Sequence, residues 1–166
     1  MYVLDYHKQI ALMQEMTQLR KKEEQWEVYY HHPTTNEMWK SYFPRANGVK
    51  RGPKILRTEP VPDNLEERIH PCLTSEFRDD AAGLGIELSV NPDKWDELLD
   101  IIENNYRDYK RSQLTHFFKH LCLFNYQELF EELHASPEQF GLDESALKQM
   151  KWRGRKILFK KFWIFW

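Results

Sequence analysis

Two histidines with metal-binding spacing, His116 and His120, are the most obvious candidates for chemistry. On a helix, residues four apart share one face, so both imidazoles could hold one zinc ion. The zinc-protease motif also needs a glutamate directly after the first histidine, and Phe117 stands there instead. The neighbouring Phe118 and Leu121 are typical of ordinary amphipathic packing. The sequence therefore predicts no metal site and no bound cofactor.

Cysteines and acids offer two other kinds of catalytic site. A histidine that the fold brings near could activate the thiol of Cys72 or Cys122, but nothing in the local sequence supports such a couple. Two cysteines are too few for a disulfide framework, so we expect two reduced, buried thiols. Asp79 and Asp80, together with a histidine, could serve a metal-dependent hydrolase or nuclease. Because a charged helix face is usually only solvated, the sequence favours a protein that is not an enzyme.

The segment between Phe43 and Thr58 is basic and contains no acid until Glu59. A phosphate-binding loop needs a glycine, four residues and then Gly-Lys-Ser/Thr. Gly48 and Gly52 are too close for that pattern, and Pro53 follows the second glycine. We therefore expect a mobile basic loop, whose charged residues are Arg45, Lys50, Arg51, Lys54 and Arg57.

Charge is strongly segregated along the 166 residues, although the net charge is only −2. Residues 73–150 hold 7 basic and 16 acidic side chains, whereas residues 151–166 hold 6 basic side chains and no acid. An acidic middle segment repels phosphates, which makes nucleic acid an unlikely partner. It favours a basic protein surface, and we expect the contact residues to be Asp79, Asp80, Asp93, Asp96, Glu97, Asp100 and Glu103.

The composition indicates an ordinary globular domain. The hydrophobic fraction of 41% and the aromatic fraction of 14% are sufficient for a core, which argues against disorder. The first ten residues lack the apolar run of a signal peptide, and no window approaches the roughly 18 apolar residues of a membrane span. We expect a cytoplasmic protein that makes no membrane contact.

The first 60 residues predict a helix followed by a small antiparallel β-meander. Apolar residues at three- and four-residue spacing predict one amphipathic helix from Asp5 to about Glu24, with a solvated end. Alternation then predicts strands over residues 26–31 and 38–43, joined by the turn residues 33–36. Residues 54–58 are expected to add a third strand.

Residues 61–166 predict a mostly helical layer. Short helices are expected up to Pro71 and from Thr74 towards Leu88, and the clearest one begins after Asn91. Its apolar face would include Trp95, Leu98, Leu99 and Ile102. Further helices are expected over residues 112–124 and after Asn125, while residues 156–166 leave helix and strand open. The predicted class is α+β in a single domain, residues 1–166.

Residues 26–62 resemble the hairpin of immunity proteins from bacterial polymorphic-toxin systems, notably the immunity protein 27 type. The resemblance depends on Trp26, the Pro33-Thr34-Thr35 turn before Trp39, the Tyr42-Phe43-Pro44 segment and the run Pro53 to Arg57. It covers about a fifth of the chain, and the long helical half has no counterpart in that pattern.

The resemblance implies an antidote that binds and blocks a cognate toxin. Many toxins that act on nucleic acids are basic, so an acidic helix face would suit such a partner. The sequence leaves two alternatives open, which are the metal-dependent hydrolase or nuclease and a regulator whose basic loop and tail contact nucleic acid. It does not determine the oligomeric state.

Overall fold

The computed structural model describes residues 1–48 and 50–163, without the side chains of Phe162 and Trp163. The strands are β1 (Tyr2–Val3), β2 (Thr17–Lys22), β3 (Glu27–His32), β4 (Glu37–Tyr42) and β5 (Ile55–Glu59). The helices are α1 (Tyr6–Glu15), α2 (Leu65–Thr74), α3 (Arg78–Ser89), α4 (Trp95–Asn105), α5 (Arg111–Leu121), α6 (Tyr126–Leu133) and α7 (Glu144–Trp163). The predicted α+β class, with an antiparallel sheet and a helix before a mostly helical half, is confirmed.

The five strands form one antiparallel sheet in the order β1-β5-β4-β3-β2. The central hairpin pairs Tyr30 with Trp39, and its turn is closed by Asn36 with a φ of 58°. Asn tolerates this left-handed conformation better than most residues, which suits the turn. Strands β3, β4 and β5 lie close to the segments predicted as strands. Burial alternates along β4, whereas Ile55 and Leu56 of β5 are both fully buried, one against each side of the sheet.

Helix α1 covers one face of the sheet. Met16, directly after the helix, packs with Trp39 and Leu56 in a small core, and Leu12 and Met13 of α1 pack beside them. The predicted helix to Glu24 is wrong, because α1 ends at Glu15 and, after Met16, the six residues Thr17–Lys22 form edge strand β2. These residues are polar apart from one leucine, so the sequence shows no hydrophobic periodicity there. Pairing with β3 determines their conformation.

The helical half packs on the other face, where Ile55 and Tyr2 join the large core of helix residues. Helix α3 lies closely against α5 and β1. A Cβ atom on Gly85 would lie 2.6 Å from the carbonyl oxygen of Phe117, so only glycine permits this approach. Gly85 therefore weakens α3 as an isolated helix but is required for the packing of α3 against α5.

Two further expectations for the helical half need correction. Helix α2 was expected to stop before Pro71, but it continues to Thr74 with the proline inside it. Burial of Cys72 and Leu73 against the core stabilises this last turn. The undecided segment 156–166 is helical up to Trp163, and its remaining residues lie outside the described part of the chain.

Ion pairs join the sheet to the helices. The Arg57 guanidinium on β5 lies 2.8 Å from Glu87 of α3 and 3.0 Å from Glu59. Arg68 of α2 also contacts Glu87, at 2.7 Å, and the Tyr2 hydroxyl donates to the same carboxylate. Only 14% of the Glu87 side chain is exposed, so these donors satisfy the hydrogen-bonding capacity of a largely buried carboxylate.

Candidate protein-binding surface

Helix α4 presents a row of carboxylates to solvent. Trp95, Leu98, Leu99 and Ile102 are fully buried, so the opposite side of the helix faces outward. A short 3₁₀ turn, Pro92–Lys94, leads into the helix and holds Asp93 at its start. We call the outward row the α4 acidic face, and its members are Asp93, Asp96, Glu97, Asp100 and Glu103.

Arg153 of α7 lies against three of these acids. Its guanidinium donates to Asp96 and Asp100, and to both carboxylate oxygens of Glu103 at 3.2 and 3.1 Å. Burial opposes the charge, but the hydrogen bonds that Arg153 donates to Glu103 and Asp100 outweigh burial and raise the pKa of Arg153. The packing of α7 on α4 therefore neutralises part of the predicted acidic surface.

The α4 acidic face nevertheless keeps an excess of negative charge. The side chains of Asp96 and Asp100 remain 65% and 62% exposed beside Arg153. Asp93 and Glu97 are exposed, and neither has an ion-pair partner among the residues that the structure describes. One buried guanidinium and the nearby Lys94 cannot balance five carboxylates.

Asp79 and Asp80 have a different environment. They lie in the first turn of α3, at the other end of that helix from Asp93. Asp80 is buried and accepts hydrogen bonds from the Tyr2 amide at 2.7 Å and the Ser75 hydroxyl at 2.6 Å. Asp79 accepts from the Leu4 amide at 2.9 Å. These two carboxylates hold strand β1 against the helices, and the fold does not bring them to the α4 acidic face.

The basic loop after β4 is attached to the helical half. Arg45 is buried and donates to the Ser89 hydroxyl at 2.9 Å, the His120 carbonyl at 2.6 Å and Glu132 at 3.2 Å. The expectation of a mobile loop is therefore wrong at this residue. Long-range partners, 44 and more residues away, decide the position of this part of the loop.

The candidate catalytic residues do not assemble into a metal centre. Within residues 1–48 and 50–163, no group of three or more histidine, cysteine or carboxylate side chains could hold an ion. Burial, followed by the charges of Lys119, His116 and Arg45, lowers the pKa of His120 below 6.5. Both cysteines are free thiols, and burial followed by the Asp80 carboxylate raises the pKa of Cys72 to about 12.

A second acidic feature was missed by the sequence reasoning. A groove of about 860 Å³ lies between α6 and the start of α7; its lining includes Tyr126, Phe130, Glu131, Glu138, Glu144 and Leu147. The signal was available, because residues 126–147 contain six acids and no lysine or arginine. The 3₁₀ turn Pro137–Phe140 beside this α6–α7 groove contacts the turn that holds Asp93.

Comparisons with known proteins do not identify the chain. No helix within the described residues has both the length and the hydropathy to cross a bilayer. The chain matches no protein-family model, no curated protein and no solved structure.

Proposed function

We propose that this chain is a cytoplasmic antidote, a non-catalytic immunity protein that neutralises a cognate bacterial toxin by covering its basic active or binding surface. The observation that supports this most directly is the α4 acidic face. Its carboxylates project from a helix whose other side is fully buried, so they are held in fixed positions. Charge on such a surface accelerates association with a basic partner and selects against acidic ones.

The hairpin supports the same proposal. Its Trp39 is buried against α1 while Trp26 is 45% exposed at the start of β3, with the Arg51 guanidinium 3.9 Å from its ring centroid. Within residues 26–62, which resemble immunity proteins of the 27 type, β3 and β4 form a hairpin and β5 adds a third strand. The packed helical half then adds the acidic surface that the resemblance does not include.

The test is neutralisation of a toxin domain encoded beside the gene. We expect co-expression to restore growth of a bacterial host and the two proteins to purify as a stoichiometric complex. Failure to rescue growth, together with no complex at low salt, would overturn the proposal.

Variants of the α4 acidic face test its electrostatic part. Asp93→Lys with Glu97→Lys changes two carboxylates that support no described ion pair, so folding should be retained. We expect a slower association rate and a smaller difference in that rate between about 50 and about 500 mM NaCl. The matched control is Glu24→Lys with Asp63→Lys, which makes the same charge change at exposed residues elsewhere. Equal effects of the two double variants would contradict a specific role for the face.

A second candidate function, a nucleic-acid-binding regulator, is supported by the outer face of α7. Trp152 and Phe159 are 57% and 62% exposed and lie seven residues apart, on the same side of the helix. Arg155 and Lys156 are exposed between them, and the Lys156 ammonium lies 4.2 Å from the Trp152 ring centroid. A gel shift at low salt that disappears in Arg155→Glu with Lys156→Glu would support this function over the antidote.

A further inference from the structure

The α6–α7 groove is preformed by its own hydrogen bonds. The connection between the helices turns at His134 and Gly141, whose φ values are 50° and 69°. The Ala135 amide donates to the Phe130 carbonyl at 3.0 Å, and the Ser136 amide donates to the Gln139 side chain at 2.8 Å. A groove that is already ordered loses little conformational entropy when a ligand enters it.

The floor of the groove is apolar. Tyr126, Phe130 and Leu147 belong to the main core and line the bottom of the groove, where Tyr126 and Phe130 are 4% and 5% exposed, and Ala135 and Pro137 line it beside them. A volume of about 860 Å³ is within the usual range of about 300–1,000 Å³ for ligand sites. The size and the floor suit one or two apolar side chains of a partner.

The rim of the groove is acidic. Glu131, Glu138 and Glu144 line it, and no lysine or arginine does so among the described residues. Hydrogen bonds from its own amide and from Ser136 lower the pKa of Glu138, so its carboxylate is charged at neutral pH. Glu144 pairs with Lys148 at 3.1 Å, but both side chains are about two-thirds exposed, and such pairs are weak.

We infer that the α6–α7 groove binds a basic segment of the toxin, with an apolar side chain on the floor between lysines or arginines that meet the rim. This inference rests on the proposed function for the source of the segment. Apolar burial supplies affinity, and the rim carboxylates supply selectivity for positive charge. Of the described cations near the groove, Lys148 pairs with Glu144 at the rim, and the Lys151 ammonium lies 5.6 Å from the Tyr126 ring centroid.

A peptide assay tests the groove without the toxin. The probe is a fluorescent peptide, KKLWKLKK, measured by anisotropy against the full chain. Two matched peptides replace every lysine by glutamate, or every leucine and tryptophan by glycine. We expect each replacement to weaken binding at least about tenfold, since both the rim and the floor contribute. Equal binding of either control peptide would overturn the inference.

Variants of the chain locate the binding site. Glu131→Lys with Glu138→Lys reverses the rim, and Ala135→Arg places a bulky cation over the floor. We expect each variant to weaken binding of the KKLWKLKK peptide at least about tenfold, whereas Glu24→Lys with Asp63→Lys should change the affinity less than about twofold. Equal losses of affinity in the rim and control variants would mean that only net charge matters, and would overturn the inference that the peptide binds in the groove.

The two proposals can fail separately. If the toxin complex forms normally with the rim variants but not with the α4 variants, the groove does not bind the toxin, and the antidote function remains supported. If the KKLWKLKK peptide binds as expected while no neighbouring toxin is neutralised, the groove recognises basic segments and the antidote function is wrong.

Discussion

Removing the Arg153 guanidinium is the sharpest test of how α7 is held to α4. The substitution Arg153→Gln keeps most of the stem and removes the charge. In the folded protein only 13% of this side chain is exposed, and it makes four hydrogen bonds to three carboxylates. The substitution leaves Asp96, Asp100 and Glu103 facing one another without a cation.

The magnitude follows from the exposure of each partner. Asp96 and Asp100 are mostly exposed, so each pair contributes at most about 0.5 kcal/mol. Glu103 is 34% exposed and accepts two charged hydrogen bonds, which together are worth about 1 kcal/mol after solvent screening. Repulsion among the remaining carboxylates adds about 0.3 kcal/mol. The expected loss of unfolding free energy is therefore about 2 kcal/mol at low salt.

Urea denaturation followed by circular dichroism measures this loss, and it should shrink at high salt because the two exposed pairs are screened. The control is Lys148→Gln, which removes an exposed pair four residues apart on the same helix and should cost less than about 0.5 kcal/mol. If Arg153→Gln is no more destabilising than the control, Arg153 does not hold the two helices together. The same variant makes the α4 acidic face more negative, so association with a basic toxin should be faster.

Three further outcomes are expected. Gly85→Ala should lower the unfolding free energy by about 2 kcal/mol despite its better helix propensity, because the new methyl group meets the Phe117 carbonyl. The new methyl group of Gly154→Ala meets side-chain atoms of Leu123 and Phe124 and no backbone atom, so this variant should cost less in the same urea titration. Cys72 should react with iodoacetamide at pH 8 at least about a hundredfold more slowly in the folded chain than in urea, measured by mass spectrometry, since its pKa is about 12. The fold lowers the pKa of His120, so just below pH 6.5 the unfolded chain binds more protons than the folded chain does. The unfolding free energy should therefore fall as the pH decreases through 6.5, and His120→Gln should make it less dependent on pH.

Local patterns predicted the elements that depend on neighbouring residues. Alternation located β3 and β4, and three- and four-residue spacing located the buried side of α4 with Trp95 and Ile102. At the start of α2 the Asn64 side chain accepts from the Glu67 amide, which caps the helix within its own first turn. These features need only contacts within about one turn, so the sequence contains enough information for them.

Strands β1 and β2 could not be predicted in this way. Strand β1 has only two residues, and β2 is polar on both faces, so neither shows a period. Both exist because a neighbouring strand, β5 for β1 and β3 for β2, offers an edge to pair with. The roles of Asp79 and Asp80 were hidden for the same reason, since their donors are main-chain amides 75 and 78 residues away.

The sequence by itself determined the α+β class, the segregated charge and the acidic outer side of α4, because these depend on composition and on the period of one helix. Only the tertiary structure decided which of those carboxylates stay unpaired, since Arg153 is 50 to 57 residues distant from its partners. It also formed the α6–α7 groove, whose floor and rim meet only when two helices pack. Charge is a property of residues, but a binding surface depends on which charges the packing leaves exposed.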